Sequence, residues 1–272
     1  MKTLLSLFVL TLFSSILISC NESKDQEESS SPKASKQDQK VAEDSMESNI
    51  EIKPISHASF VIKTNNMVLY NDPVGNPEAY ADQPQPDVIL LSDIHPDHLN
   101  IETLEHLAHS NLKIIVPQAV ADSLPERLLQ YTQVMKNGES SNVQIGKNSF
   151  SIKAIPMYNL RKEALKFHEK GRGNGYLLTL HDQRIYISGD TEDIPEMRQL
   201  KNIDIAFVCM NLPYTMPVEH AAEAVLDFAP KKVYPYHYRG KNGLSDVDQF
   251  KSIVNENNPD IEVIQLDWYP KM

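Results

Sequence analysis

The sequence predicts an α/β domain of four layers (αββα), in which two β-sheets pack face to face and helices cover both outer surfaces. Three observations predict this fold class. Strand-like apolar runs are grouped at the start and in the middle of the globular part, helical segments occur in both halves, and the last quarter alternates strands with helices. Sheets and helices must bury their apolar faces against each other, and a chain with this order of elements can do so by forming stacked layers. The order also suggests a duplicated unit.

The N-terminus is typical of an export signal. A positive start at Lys2 precedes an apolar run, residues 4–18, that is too short to span a bilayer comfortably but has the length of a signal-peptide core. The run ends in Leu17-Ile18-Ser19-Cys20, which resembles the bacterial lipobox. We therefore expect residues 1–19 to be a removed signal peptide and Cys20 to carry a lipid. The alternative is an ordinary signal peptide with an incidental Cys.

Residues 20–48 are rich in Ser, Lys, Glu, Asp and Gln and contain almost no large apolar side chain. Such a segment cannot offset the entropy of ordering, so we expect a lipidated flexible tether that reaches about 30 Å from the membrane to the domain, residues 49–272. The net charge of −11 argues against nucleic acid as a partner, because that would require a basic face. The membrane is therefore expected as a partner through the N-terminal lipid alone.

The first half of the domain is predicted to contain strands and then helices. Apolar runs predict strands at residues 50–55, 59–63, 67–71, 88–91 and 112–116. A helix should begin after the N-cap Asn100 with Ile101 and Leu104 on its apolar face, and a second helix should continue to about Leu129.

The second half is predicted to return to strands before strands and helices alternate. The predicted strands are residues 131–135, 143–145, 149–157, 176–180, 184–188, 205–209, 232–236 and 261–266, with helices at 218–228 and 246–256. Cys209 ends one of these apolar runs and is expected to be a core residue without a disulfide partner.

Candidate metal ligands follow three of the predicted strands. Asp93, His95, Asp97 and His98 come directly after the strand at 88–91, Asp190 follows the strand at 184–188, and His237 follows the strand at 232–236. Sheet folds place their ligand sites past strand ends, and imidazole combined with carboxylate matches Zn²⁺ or another borderline divalent ion.

These motifs resemble a known family. Asp93-Ile94-His95-Pro96-Asp97-His98 is similar to the His-x-His-x-Asp-His signature of metallo-β-lactamase-fold hydrolases, Gly189-Asp190-Thr191 to their bridging aspartate motif, and His237 to their last histidine ligand. Ser56-His57-Ala58-Ser59-Phe60 and Asp72-Pro73 resemble the branch that contains ascorbate-phosphate lactonase and the N-acyl-phosphatidylethanolamine phospholipase D.

The resemblance implies a role for each motif residue. Asp93 and His95 would serve one metal site, and Asp97, His98 and His237 a second, with Asp190 bridging the two. It also implies hydrolysis by a metal-bound hydroxide that Asp97 orients, with His57 near the floor of the site. Asp97 and His57 are therefore the candidate catalytic residues.

Two departures from the family pattern concern the first metal site. Asp93 stands in place of a histidine, and the strand at 149–157, which in the family leads into another histidine, here ends in Tyr158-Asn159. Asn159 and His168 are the candidate replacements, and an exposed loop histidine is the alternative interpretation of His168.

Charge balance favours two metal ions. Three carboxylates around one divalent ion would leave about −1 in a cleft unless a base compensates, whereas two ions, three carboxylates and one hydroxide sum to zero. We expect two divalent ions, zinc first, although the additional carboxylate also suits Mn²⁺ or Fe²⁺.

The expected activity is hydrolysis of an ester, lactone, amide or phosphodiester bond in a small-molecule or lipid-derived substrate, because the fold hosts all of these reactions. Tyr214 and Arg239 are candidate substrate-binding residues. Arg161, Lys170 and Arg172 read individually as solvated loop charges, with anion binding as the alternative. The competing interpretation of the whole chain is a catalytically impaired metal-binding or scaffold lipoprotein of the same fold.

Overall fold

The structure is a computed structural model and describes residues 50–269. The expected signal peptide, the lipidated Cys20 and the tether lie outside these residues. Among the helices of residues 50–269, none has the length and apolar character needed to cross a membrane.

The strands of the described range, in chain order, are β1 Glu51–Ser56, β2 Ser59–Thr64, β3 Met67–Asn71, β4 Val88–Leu90, β5 Lys113–Val116, β6 Thr132–Val134, β7 Ser140–Ile145, β8 Asn148–Met157, β9 Gly173–Leu180, β10 Gln183–Ile187, β11 Ile205–Cys209, β12 Lys232–Tyr236, β13 Arg239–Gly240, β14 Gly243–Leu244 and β15 Glu262–Val263. The helices are α1 Ile101–Leu107, α2 Gln118–Ala121, α3 Glu126–Leu129, α4 Pro195–Arg198, α5 Val218–Phe228 and α6 Val247–Asn257.

Two mixed sheets share one pattern. The first has the order β1-β2-β3-β4-β5-β6, antiparallel from β1 to β3 and parallel from β3 to β6. The second has the order β15-β12-β11-β10-β9-β8-β7, antiparallel among β7 to β10 and parallel from β10 to β15. This common progression agrees with the duplicated unit suggested by the element order.

Alternation along the strands of the first sheet explains the layering. Phe60 and Ile62 belong to the large core that includes the second sheet, whereas Val61 between them belongs to a smaller core with helices α1 to α3. In β4, Leu90 likewise belongs to the large core and its neighbour Ile89 to the smaller one. Because successive strand side chains point to opposite faces, both faces of this sheet are covered. The predicted αββα class is confirmed.

The prediction of one continuous helix up to Leu129 is wrong. The segment forms α2 and α3, and Pro125 stands at the N-cap of α3. Proline has no backbone N–H and disfavours helical backbone in the preceding residue, so it ends the first helix and starts the next.

The last strand is also shorter than the predicted range of 261–266. Its ladder with β12 runs from Glu262 to a final bond from the Ile264 N–H to the Val233 carbonyl. The backbone N–H groups of alternate residues in a strand point toward the same neighbouring strand. In β12 the next residue that would donate toward β15 is therefore Pro235, which has no N–H. The ladder therefore ends at this point.

Candidate metal centre

The motif residues meet at one edge of the two sheets, just past the strands that precede them. His57 lies in the turn between β1 and β2, Asp72 follows β3, and His237 follows β12. All three have left-handed backbone, with φ of 58°, 41° and 46°. Non-glycine residues rarely adopt this conformation, and it is concentrated at functional sites because the surrounding structure must hold it.

Asp190 is reached through a turn that requires glycine. Gly189 has φ 61°, and a Cβ at this position would lie 2.5 Å from the sulfur of Met157. The turn therefore approaches β8 too closely for a side chain, and it places the Asp190 carboxylate in the buried floor of the cluster.

Asp97, His98, Asp190 and His237 form a compact group, which we call the inner position. The Nε2 atoms of His98 and His237 lie 3.1 Å apart. They lie 3.3 Å from Oδ2 and 3.1 Å from Oδ1 of Asp190, respectively. Asp97 Oδ2 lies 3.5 Å from His237 Nε2. His98, Asp190 and His237 thus bring one donor atom each within 4.8 Å of one another, and Asp97 joins this group through its contact with His237.

Asp93, His95 and His168 form a second group, which we call the outer position, and Asp190 lies beside it. His168 Nε2 lies 3.1 Å from Asp190 Oδ2 and 3.9 Å from Asp93 Oδ2. His95 Nδ1 lies 2.8 Å from Asp93 Oδ2. His168 is buried, so the interpretation as an exposed loop histidine is wrong.

Hydrogen bonds to the remaining ring nitrogens fix the orientation of two of these imidazoles. His98 Nδ1 lies 2.8 Å from the buried carboxylate of Asp72, and His168 Nδ1 lies 3.2 Å from the backbone carbonyl of Tyr214. With Nδ1 carrying a proton toward these acceptors, Nε2 of each ring is the nitrogen directed at the cluster, and once deprotonated it offers its lone pair to a metal ion. Metal-binding histidines in proteins are characteristically held in this way.

His57 is held by the side chain of Tyr269, in the C-terminal segment after β15. Its Nδ1 lies 2.7 Å from the hydroxyl of Tyr269, its Nε2 lies 3.3 Å from Asp97 Oδ2, and its ring lies 3.9 Å from that of His237. With the Tyr269 hydroxyl donating to Nδ1, the Nε2–H donates to Asp97. His57 therefore orients Asp97, whose side chain is 42% exposed.

The buried charges favour a cation at the inner position. Burial alone would raise the pKa of Asp190, but the charges of His237, His98 and His168 hold it well below its ordinary value. Burial would lower the pKa of His98, yet the carboxylates of Asp190 and Asp72 raise it well above the ordinary value. Burial, reinforced by His57 and His98, lowers the pKa of His237 to about 3 against the charge of Asp190. Without a metal, the carboxylates therefore hold a proton on His98, and a divalent ion at the inner position would displace that proton and balance the same negative charge, with His237 already a neutral imidazole.

The residues present fit a divalent ion. The buried Oδ1 of Asp190 accepts no hydrogen bond from any described residue, although His237 Nε2 is 3.1 Å away. Buried polar atoms normally form hydrogen bonds. A carboxylate oxygen and an imidazole nitrogen that lie this close without one are suited to binding a single cation between them. Mixed imidazole and carboxylate donors suit zinc and neighbouring transition metals.

Arg172 forms an ion pair at the centre that its interpretation as a solvated loop charge did not predict. Its Nε donates to Asp93 Oδ1 at 3.0 Å and its Nη2 to Asp93 Oδ2 at 2.8 Å. The interpretation as a solvated loop charge is therefore wrong. Arg161 and Lys170 also pair with carboxylates, Arg161 with Glu192 at 2.7 Å and Lys170 with Glu196 at 2.9 Å.

The other candidate residues surround the centre. The Asn159 amide nitrogen donates to the carbonyls of Ala164 and Tyr214, so in this structure its side chain braces the loop that carries His168. The Tyr214 ring packs edge-on against Phe167, and its backbone carbonyl accepts the bond from His168. The Arg239 guanidinium lies 4.9 Å from the centre of the Tyr269 ring, and the Tyr269 hydroxyl in turn contacts His57.

Comparison with known proteins places the chain in a family. Residues 51–237 match the β-lactamase superfamily domain. A UPF0173 metal-dependent hydrolase of Pyrococcus horikoshii is 29% identical over 217 residues, covering 76% of this chain and 93% of the relative. A UPF0173 metal-dependent hydrolase of Bacillus cereus is 30% identical over 189 residues, covering 67% of this chain and 82% of the relative.

Solved structures agree with this assignment. The crystal structure of a protein described as a metal-dependent hydrolase from Parabacteroides distasonis is 36% identical with a TM-score of 0.70, and the match covers 81% of this chain and 94% of the other. A metallo hydrolase from Ignicoccus hospitalis shares the fold at 19% identity, with a TM-score of 0.66 and coverage of 80% and 94%. The chain belongs to the β-lactamase superfamily, as one of its metal-dependent hydrolases.

Proposed function

We propose that this hydrolase uses divalent ions at the inner and outer positions, zinc first among them, to cleave neutral carboxylic ester or lactone bonds. Asp97, His98, Asp190 and His237 would hold one ion, and His95, His168 and Asp93 would hold the other beside Asp190. Ions bound there would acidify a water molecule and polarise the oxygen of the scissile group. The observation that carries the proposal is the convergence of the Nε2 atoms of His98, His168 and His237 on Asp190 at 3.1–3.3 Å.

The protein's own residues supply orientation and access. Asp72 and the Tyr214 carbonyl fix the buried imidazoles, so the donor atoms are organised before any substrate arrives. Asp97 and His95 are the most exposed members of the cluster, with side chains 42% and 35% exposed. Substrate therefore approaches from their side, where Asp97, oriented by His57, can align the attacking water.

The charges around the centre favour a neutral substrate. Three cationic side chains of the loop that carries His168 each pair with a carboxylate: Arg161, Lys170 and Arg172. The chain as a whole carries a net charge of −11. An anionic phosphodiester would find these three cations already paired and would meet the negative field of the chain, whereas an ester or lactone would not be repelled.

Apolar side chains beside the centre favour a substrate with an aliphatic part. Large aliphatic side chains are 42–48% exposed at Leu160, Leu165 and Leu212 in the surrounding loops and at Leu244 in β14. Arg161 ties two of these loops together through bonds to the carbonyls of Pro213 and Thr215. Exposed aliphatic side chains in loops that adjoin residues of the centre would bind an acyl chain better than water does.

A substrate panel tests the proposal. Metal-stripped protein reloaded with Zn²⁺ should hydrolyse p-nitrophenyl esters, with kcat/KM rising from acetate to octanoate, and should hydrolyse bis-p-nitrophenyl phosphate far more slowly. Chelation and the His237→Ala substitution should abolish the ester activity. Preferential cleavage of the phosphodiester would overturn the assigned bond class.

The scaffold interpretation makes a different prediction for the same panel. A catalytically impaired lipoprotein of this fold would bind zinc with the same residues but would hydrolyse none of the esters, lactones, amides or phosphodiesters. Zinc binding without turnover on a broad panel would therefore favour that interpretation over the proposed activity.

We further propose that the protein is exported and anchored to the cell envelope through lipid on Cys20. The support is the lipobox-like run that ends in this residue and the polar segment that follows it. Cys20→Ser should move the protein from the membrane fraction to the soluble fraction. Retention of an uncleaved Cys20→Ser chain in the membrane would instead show that residues 4–18 act as the anchor.

A further inference from the structure

Asp93 is already occupied at the outer position. Its two carboxylate oxygens accept separate hydrogen bonds from Nε and Nη2 of Arg172, at 3.0 and 2.8 Å. The Arg172 guanidinium is fixed in turn by a bond from Nη2 to the carbonyl of Phe167. This paired geometry is the strongest arrangement that an arginine and a carboxylate form, and the Asp93 side chain is fully buried.

His95 is engaged by the same pair. Its Nδ1 lies 2.8 Å from Asp93 Oδ2, and its Nε2 lies 3.4 Å from Arg172 Nη2. With Nδ1–H donating to Asp93 and Nε2 facing the guanidinium, both ring nitrogens have partners. Asp93, His95 and Arg172 thus form an internally satisfied trio, whereas Nε2 of His168 and the carboxylate of Asp190 beside it remain directed at the outer position.

The inner position differs in both bonding and charge. Oδ1 of Asp190 accepts no hydrogen bond from a described residue although His237 Nε2 lies 3.1 Å away, and the Nε2 atoms of His98 and His237 lie 3.1 Å apart. Asp190 lies beside both positions, but Asp97 adds a carboxylate at the inner position that contacts histidines, whereas Asp93 at the outer position is neutralised by Arg172. Attraction for a divalent ion is therefore concentrated at the inner position.

We propose that Arg172 competes with a metal ion for Asp93, so that the centre fills in two steps of unequal affinity. The first ion binds at the inner position. The second binds at the outer position only when the Arg172–Asp93 pair opens, and its affinity is lowered by the cost of that opening. This inference rests on the proposed function, because it assumes that both positions hold metal.

The test is calorimetric titration of the metal-stripped full chain with Zn²⁺. The wild-type protein should show two steps. Arg172→Gln frees Asp93, so it should tighten the second step by about tenfold or more and leave the first nearly unchanged. Arg172→Lys keeps the charge without the paired hydrogen bonds and should tighten the second step by less.

Lys170→Gln is the matched control. Lys170 lies two residues from Arg172 and pairs with Glu196, so its removal changes the loop charge equally without touching Asp93. Both Zn²⁺ steps should be the same as in the wild-type protein, and circular dichroism of each variant establishes that the fold is retained.

The possible outcomes separate this inference from the proposed function. Two equal steps in the wild-type protein, or a second step unchanged in Arg172→Gln, would overturn the competition while leaving the metal centre intact. A second step tightened equally by Lys170→Gln would also overturn it, because general loop charge would then be the cause. Failure of the wild-type protein to bind Zn²⁺ at all would instead contradict the proposed function.

Discussion

His98 Nδ1 lies 2.8 Å from Oδ2 of Asp72, and both side chains are completely buried. Asp72 is fixed in turn by the backbone N–H and the hydroxyl of Ser92, at 2.7 and 2.6 Å. The carboxylate therefore selects the ring tautomer and orientation that present His98 Nε2 to the inner position. We therefore expect Asp72 to act on metal binding through the orientation of His98.

Asp72→Asn should weaken zinc binding at the inner position by about 10–100-fold, because the amide is a poorer acceptor and leaves the imidazole less well oriented. Competition with a chromophoric chelator measures this affinity. Asp87→Asn is the control, since Asp87 bonds the Val68 N–H away from the centre. Equal affinities in the wild-type protein and Asp72→Asn would show that Asp72 only supports the fold.

His168→Ala should eliminate the second, weaker zinc step and preserve the first, because His168 faces the outer position. His98→Ala and His237→Ala should remove the tight step instead. His106→Ala, which changes an exposed histidine on α1, should bind zinc as the wild-type protein does. If His168→Ala loses both steps, the two positions are not independent and the separation of inner from outer position is wrong.

Glu192 should contribute more to stability than its position in a loop suggests. Its buried carboxylate accepts bonds from the backbone N–H groups of Leu160 and Arg161 and from the Arg161 side chain, at 2.7–2.9 Å. Glu192→Gln should lower the free energy of unfolding by about 2 kcal/mol or more, measured by denaturant titration. Glu163→Gln, at an exposed carboxylate of the same loop, should cost less than about 0.5 kcal/mol. Equal losses would exclude a special role for Glu192.

Cys209 should be chemically inert in the folded protein. Burial, together with the nearby charge of Asp190, raises the pKa of its thiol to about 12. Because the thiolate is the reactive form, iodoacetamide at pH 8 should leave Cys209 unmodified until the protein is unfolded. Mass spectrometry of the peptide that contains Cys209 distinguishes it from Cys20. Rapid labelling under native conditions would show that the strand opens readily.

The sequence predicted the elements and the candidate ligands that local patterns encode. Apolar runs located most strands, and Asp97, His98, Asp190 and His237 were recognisable because each follows a run or lies in a motif. The inserted prolines explain the errors, since Pro125 divides a helix and Pro235 ends a ladder. Both effects depend on backbone donors, which an apolar pattern does not report.

Partners distant in sequence were not predictable in this way. Arg172 and Asp93 are separated by 79 positions, and Asp72 and His98 by 26. Arg172 and His168 lie in an irregular loop without periodicity, so their burial follows only from how that loop packs over the sheet edge. A signal was present in one case: a carboxylate replacing a neutral ligand at Asp93 requires a compensating base, and Arg172 is that base.

The most direct test of the metal centre is an anomalous difference map from crystals of zinc-loaded protein, with data collected on both sides of the zinc absorption edge. We predict a strong peak within bonding distance of His98 Nε2, His237 Nε2 and the Asp190 carboxylate, about 2.0–2.2 Å from each. A weaker peak should lie beside His168. A map with no peak among these side chains, or with its zinc held elsewhere, would contradict the account.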